Sequence, residues 1–157
     1  RALLSGLASV HWQVIEQPAF VELGRREFAN DTLRFATDLD TLEPTRVPPV
    51  FLAGSVLQYL DDPDATLARW LAVPSSCMIL DRMPVADGDA HAAYVQQVPA
   101  SLYAATYPCW LLSWTRLQAA LRGHAILYGY DALDGEFMTD DWRRFRYRGL
   151  VIERSAQ

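Results

Sequence analysis

The sequence contains no lysine. All 14 of its basic side chains are arginines, which excludes Schiff-base catalysis by lysine and the phosphate-gripping lysine of a P-loop. Cysteine is scarce too, and Cys77 and Cys109 stand in apolar company. They read as reduced and buried rather than disulfide-linked or metal-bound. His11, His91 and His124 share no ligand spacing with those cysteines, so no metal is expected. There is no GxSxG elbow, internal repeat or low-complexity tract. No apolar run is long enough to cross a bilayer and no signal peptide is visible, so the expectation is a soluble, cytoplasmic protein without a membrane partner. With a net charge of −5 and no basic stripe, nucleic acid is not an expected partner either.

What is present suits one ordinary globular domain: 157 residues, 51% of them hydrophobic. The most informative stretch is VFLAGSVLQYLDDP, residues 50–63. Val50, Phe51, Leu52 and Ala53 form an unbroken apolar run, as expected of a strand covered on both faces. Gly54 and Ser55 let the backbone leave the sheet and approach whatever lies above it. Asp61, Asp62, Pro63 and Asp64 then supply capping side chains and a first-turn proline for a helix through ATLARWLAV. In an open α/β sheet, a strand, turn and helix of this kind build a ligand crevice.

Strand and helix signals alternate along the chain, which favours a parallel α/β sheet. Short strands are expected at 12–15, ending at Glu16, and at 33–36, leading into Thr37, Asp38, Leu39 and Asp40. Between them Pro18 opens a helix through AFVELGRREFA, closed by Asn30 and Asp31. Further strands are expected at 50–53 and 77–80, the latter ending at Asp81 and Arg82 with Pro84 just beyond. The segment DGDAHAAYVQQVPASLYAATYPCW has no regular period. LLSWTRLQAALRGH reads as a helix with Gly123 near its end. AILYGYDA and RYRGLVIERS, separated by an acidic loop, read as an antiparallel pair.

In this order, WQVIEQP, LRFATDLD, VFLAGSVLQYLDDP, CMILDRMP and the terminal hairpin resemble the second through seventh strands of a class I S-adenosylmethionine-dependent methyltransferase. VIEQPAFVELG, LAGSVLQYLDDP, LDRMPV, QQVPASLY and ATYPCWLLS are similar, more narrowly, to a small bacterial family provisionally described as methyltransferases. The resemblance covers nearly the whole chain from about His11. It implies a Rossmann-like α/β sheet, mainly parallel with an antiparallel C-terminal strand. The bound cofactor would be S-adenosylmethionine, with a small or carbohydrate-like acceptor, methylated at oxygen. Glu16 would accept hydrogen bonds from the ribose hydroxyls beside Gln17. An exposed or helix-capping Glu next to Pro18 is the plainer alternative. Asp38 and Leu39 would meet the adenine, although an Asx-turn is an equal role for Asp38. Gly54, Ser55 and Val56 would line the cofactor, with Gln58 and Tyr59 near the mouth and Leu57 and Leu60 in the core.

One departure from the family pattern stands out. Such enzymes hold the cofactor's methionine end with a glycine-rich turn after their first strand, and no such turn precedes Glu16; the isolated Gly6 does not supply it. The chain begins at Arg1, part-way into a helix-like ALLSGLASV, so residues 1–157 read as a single domain truncated at its N-terminus and lacking the first strand. That strand normally lies between the second and the fourth, and its loss leaves backbone groups to be paired. Upstream residues, a rearrangement of the strands, or a second copy in a homodimer would have to close the gap. Cofactor binding by these residues alone is accordingly expected to be weak or absent.

On the substrate side, Asp81 and Arg82 are candidates for orienting an acceptor hydroxyl or carboxylate, or a plain ion pair at a strand end. His91 is a candidate general base, or simply a solvated loop histidine. Tyr103, Tyr107 and Trp110 would wall a pocket or fill a core. The basic-aromatic WRRFRYR reads as the solvated face of the terminal hairpin. Two rival readings stay open: a degenerate relative that folds without binding cofactor, and a doubly wound nucleotide enzyme of another kind, such as a dehydrogenase.

Overall fold

The computed structural model describes residues 5–41, 49–133 and 135–153. The chain divides into two compact units, Arg1–Val47 and Pro48–Gln157. Among the described residues no helix is long and apolar enough to cross a membrane.

The smaller unit is a strand, a helix and a second strand parallel to the first: β1 (Trp12–Ile15), α1 (Pro18–Glu27) and β2 (Leu33–Ala36). Pro18 sits in the first turn, where its missing N–H removes no helical bond. The helix stops where the N–H groups of Phe28 and Ala29 both donate to Gly24 O at 2.9 Å. Asn30 Oδ1 then accepts from the N–H groups of Thr32 (2.8 Å) and Leu33 (3.1 Å) and turns the chain into β2. Trp12 pairs with Leu33 and Ile15 with Ala36. Gly24 lets α1 lie close on this pair, since a Cβ there would come within 2.5 Å of the Phe35 ring. Residues 5–10, the described part of ALLSGLASV, form turn and irregular chain rather than helix.

The larger unit opens with a second parallel strand–helix–strand: β3 (Val50–Gly54), α2 (Pro63–Ala72) and β4 (Cys77–Ala86). It continues through β5 (Ala92–Val98), β6 (Ala105–Ser113), α3 (Trp114–Ala120), β7 (Ala125–Asp131), β8 (Phe137–Met138) and β9 (Arg144–Glu153). Strand order runs β5-β6-β4-β9-β7, with β3 on β4 and β8 on β9. Met78 and Leu80 of β4 and Ile152 of β9 are fully buried, and Met78 faces Ile152 across the ladder. Helix α2 adds Leu67 and Trp70 to this core, with the Trp70 ring 5.6 Å from that of Phe51.

Four expectations need correction. The sheet is mixed rather than mainly parallel, because β4–β9, β7–β9, β5–β6 and β8–β9 all pair antiparallel. The run 50–53 is not covered on both faces, and Val50 and Leu52 are about half exposed. Strand β4 does not end at Leu80 but passes through Pro84 to Ala86. The segment after it, without a visible period in sequence, forms the β5–β6 hairpin, and β6 takes Leu111, Leu112 and Ser113 from the expected helix. Ser113 is the N-cap of the shorter α3, its hydroxyl accepting from Arg116 N–H at 3.1 Å.

The equivalent cap on α2 is Asp62, whose carboxylate accepts from Ala65 N–H at 2.9 Å. Asp62→Ala is expected to lower stability by about 1 kcal/mol. Urea denaturation of the two proteins measures this, and an unchanged midpoint would remove the cap from the account.

Candidate functional site

β9 occupies one edge of β4 along nearly all its length, so β3 and β6 must share the other. β3 pairs with Cys77 to Asp81 and β6 joins only at Val85 and Ala86. Arg82, Met83 and Pro84 lie between, where the neighbouring strand changes. Such a changeover at the carboxyl end of parallel strands is where open α/β sheets place their crevices. The chain leaving β3 folds over this interval: Ser55 N–H donates to Asp81 O at 2.8 Å, and Gln58 Nε2 reaches Ser55 Oγ (3.0 Å) and Arg82 O (3.4 Å). Pro84 brings no N–H that would need a partner.

The same interval carries a bulge. Leu80 pairs with Leu150 and Met83 with Arg148, so Asp81 and Arg82 together stand against the single residue Gly149. Arg82 adopts φ 51° and Ser55 φ 56°, left-handed conformations that cost a non-glycine residue roughly 1–2 kcal/mol. Backbone strain of this kind collects at binding and catalytic sites.

A side chain from a third strand completes the cluster. Tyr130 of β7 pairs with Gly149, and its hydroxyl reaches over β9 to donate to Asp81 Oδ1 at 3.0 Å. A Cβ at Gly149 would overlap the Tyr130 ring, so the glycine is what makes this crossing possible. Burial, and then the bond to Asp81, push the Tyr130 phenol above its ordinary pKa, so it stays a donor. Asp81 Oδ2 meanwhile holds Arg82 Nε at 3.2 Å. Sequence reading missed Tyr130. The available signal was Gly149 itself, a glycine inside an otherwise strong strand pattern, which marks close approach of another group.

The other expected site residues fall into separate groups. Gln58 is not at a mouth: it is 1% exposed, and its Oε1 is buried with no hydrogen-bond partner among the described residues. Tyr59, Tyr103 and Tyr107 do come together. The rings of Tyr59 and Tyr107 meet edge to face at 5.4 Å, Tyr107 and Tyr103 hydroxyls lie 3.4 Å apart, and Tyr59 donates to Gln96 Oε1. The hydrogen bond with Tyr103, with burial and neighbouring tyrosines, holds the Tyr107 phenol well above its usual pKa. Trp110 anchors this shelf by donating to Leu60 O at 3.0 Å. Val56, beside Ser55, is partly exposed.

His91 is buried rather than solvated. Its Nδ1 accepts from Ser113 N–H at 2.8 Å, which leaves Nε2 to donate to Asp64 Oδ1 at 3.2 Å. Asp64 also takes the guanidinium of Arg116. Both cysteines are free and half-buried, and burial raises the Cys109 thiol pKa. In WRRFRYR, Trp142 is largely exposed at φ 66°, Arg144 and Arg146 pair with Glu136 and Asp131, and Arg148 lies over the Trp114 ring at 5.0 Å.

In the smaller unit, Glu16 and Asp38 follow the carboxyl ends of two adjacent parallel strands, with Glu16 N–H donating to Ala36 O at 3.0 Å. Glu16 Oε2 accepts from Gln17 N–H at 3.0 Å. Asp38 Oδ1 accepts from Asp40 N–H at 3.0 Å in an Asx-turn, and Leu39 begins the short 3-10 turn Leu39–Thr41. Among the described residues no group of three or more His, Cys, Asp or Glu side chains is disposed to hold a metal ion.

No family model matches the sequence, and no curated protein does. Among solved structures, the chain is similar to a protein from Sulfolobus solfataricus provisionally described as a type 11 methyltransferase. Identity is 12% and the TM-score 0.46, over 99% of this chain and 76% of that one. A likeness of that degree establishes neither family nor activity.

Asp64 makes a testable pH signature. Burial raises its pKa, but the hydrogen bonds from Arg116 and His91 outweigh this and hold it below the ordinary carboxylate value. A depressed folded pKa contributes stability above the unfolded value of about 4, and that stability is lost as pH falls through the folded pKa. Asp64→Asn is therefore expected to cost about 1 kcal/mol at neutral pH, after allowance for solvent screening. The gap from wild type should close below about pH 4. Thermal melts across pH test it, and a gap independent of pH would contradict the assignment.

Proposed function

We propose that the chain is a class I methyltransferase-like domain that transfers a methyl group from S-adenosylmethionine to the oxygen of a small or carbohydrate-like acceptor. The observation that supports this best is the strand changeover on β4. There the Gly54–Ser55 turn, the Asp81–Arg82 bulge and the phenol of Tyr130 converge at the carboxyl ends of two parallel strands. The strand pairings agree with the motif order: β1 with β2 as second and third, β3 with β4 as fourth and fifth, and β9 antiparallel between β4 and β7.

The residues suit the cofactor on two counts. Gly54 leaves open space above its backbone, where a Cβ would meet only the Arg82 guanidinium at 3.6 Å. Glu16 has committed one oxygen to Gln17 N–H, and a carboxylate retains further acceptor sites for a pair of ribose hydroxyls. On this reading Glu16, Gln17, Asp38 and Leu39 are the smaller unit's candidates for the nucleoside, and Gly54, Ser55 and Val56 are the larger unit's candidates for the methionine side. When bound, S-adenosylmethionine supplies a methyl group on a positively charged sulfur. The chain's own work is then to bind, orient and keep water out, and no dedicated base is required. Tyr59, Tyr103 and Tyr107 offer the acceptor an aromatic wall, and Asp81 and Arg82 orient it. With both ring nitrogens engaged, His91 is assigned to holding the start of α2 against β6 rather than to proton transfer.

Calorimetric titration of the full-length protein with S-adenosylhomocysteine tests the reading. Binding is expected, and Glu16→Ala should weaken it by about tenfold to a hundredfold, as loss of a charge-assisted acceptor does. Absence of binding at millimolar ligand would favour the degenerate relative. Equal affinity without the Glu16 carboxylate would remove Glu16 from the site.

A further inference from the structure

Arg82 is held from several sides, yet part of its guanidinium is left over. Its strained backbone is fixed by β9 on both flanks, by Gln58 Nε2 on its carbonyl and by Ser55 N–H on the carbonyl before it. Its Nε forms an ion pair with Asp81 Oδ2 at 3.2 Å, and Asp81 is itself steadied by Tyr130 through Oδ1. The side chain is about half exposed and extends over Gly54, and its two Nη groups have no partner among the described residues. A left-handed arginine braced in this way is an expensive arrangement for a mere surface ion pair, since exposed pairs contribute little stability.

We infer that Asp81, Tyr130 and Gly149 hold Arg82 as an end-on receptor for a carboxylate beside the Gly54–Ser55 turn. With Asp81 Oδ2 lying against Nε, the Nη1/Nη2 edge is the one left facing a ligand, and its two parallel donors match the two oxygens of a carboxylate. Charge selects the same ligand. Asp81 already neutralises Arg82, so a monoanion leaves one uncompensated charge where a phosphate dianion would leave two. The carboxylate has two possible sources, the methionine end of the cofactor or the acceptor, and naming the first rests on the proposed methyl transfer. Tyr130 is a positioning residue here: it acts on the ligand only through Asp81 and Arg82.

The test pairs calorimetry with NMR of the arginine side-chain N–H signals of the full-length protein. Titrations with S-adenosylhomocysteine and its decarboxylated analogue are run on wild type, Arg82→Met, Tyr130→Phe and Gly149→Ala. If the cofactor supplies the carboxylate, wild type prefers S-adenosylhomocysteine by about tenfold or more. That preference disappears in Arg82→Met and falls several-fold in Tyr130→Phe and Gly149→Ala, while the analogue binds all four alike. If the acceptor supplies it, the two nucleosides bind equally. Benzoate added to the nucleoside-saturated protein then shifts the Arg82 signals more than phosphate does, and Tyr130→Phe weakens that response. Benzoate on the free protein separates the two ideas, because a response there supports the receptor even if no nucleoside binds. Arg82 signals indifferent to benzoate in both forms, together with no preference between the nucleosides, would overturn the inference.

Discussion

The antiparallel pairing of β4 with β9 is the constraint on which the larger unit depends. It joins the parallel β3–α2–β4 half to the terminal hairpin and buries Met78, Leu80 and Ile152 between them. Because β4 carries one residue more than β9 across this ladder, the mismatch must appear as a bulge, and it falls at Asp81 and Arg82. On the opposite edge β3 has just ended and β6 has not begun. One irregularity in register thus sits where the sheet changes neighbours, and the polar cluster follows from that coincidence.

What stabilises the bulge also makes it useful. Its carbonyl oxygens are satisfied by Ser55 N–H and Gln58 Nε2, so the turn after β3 is held over the gap. Its side chains are ordered by Tyr130, which can cross β9 only because Gly149 has no side chain. Three strands therefore meet at one ion pair, and orientation rather than strong acid–base chemistry is what the cluster provides. That suits group transfer from an already activated donor, where positioning accounts for much of the catalysis. The His91–Asp64–Arg116 cluster has a different character, since its bonds tie the start of α2 to β6 and α3.

Much of this was legible in the sequence, for physical reasons that also explain the rest. β1, α1, β2, β3 and α2 lie where apolar runs, Pro18, Asn30 and the Asp62–Pro63 start put them, because local signals and tertiary demand agree there. β4 looks short in the sequence because Asp81 and Pro84 resemble breakers, and the bulge that accommodates them depends on a distant strand. β5 is hidden in the sequence because Tyr94 and Gln96 lie on its less exposed face while Val95 is exposed, which erases the polar–apolar alternation. In the site, Asp81 and Arg82 were visible as residues at a strand end. The burial of Gln58, the two bonds of His91 and the arrival of Tyr130 were not, since each is set by a partner at least 22 residues away.

On the proposed function, the interval between β3 and β6 on β4 is the binding crevice, shaped in advance by the bulge. A crystal structure of the full-length protein with saturating S-adenosylhomocysteine addresses it most directly. Ligand density is expected against Gly54 and Ser55, with Arg82 still left-handed and Asp81 still bridging Tyr130 and Arg82. Ligand bound on the tyrosine shelf with the Gly54–Ser55 turn empty, or a bulge relaxed to regular strand geometry, would contradict it.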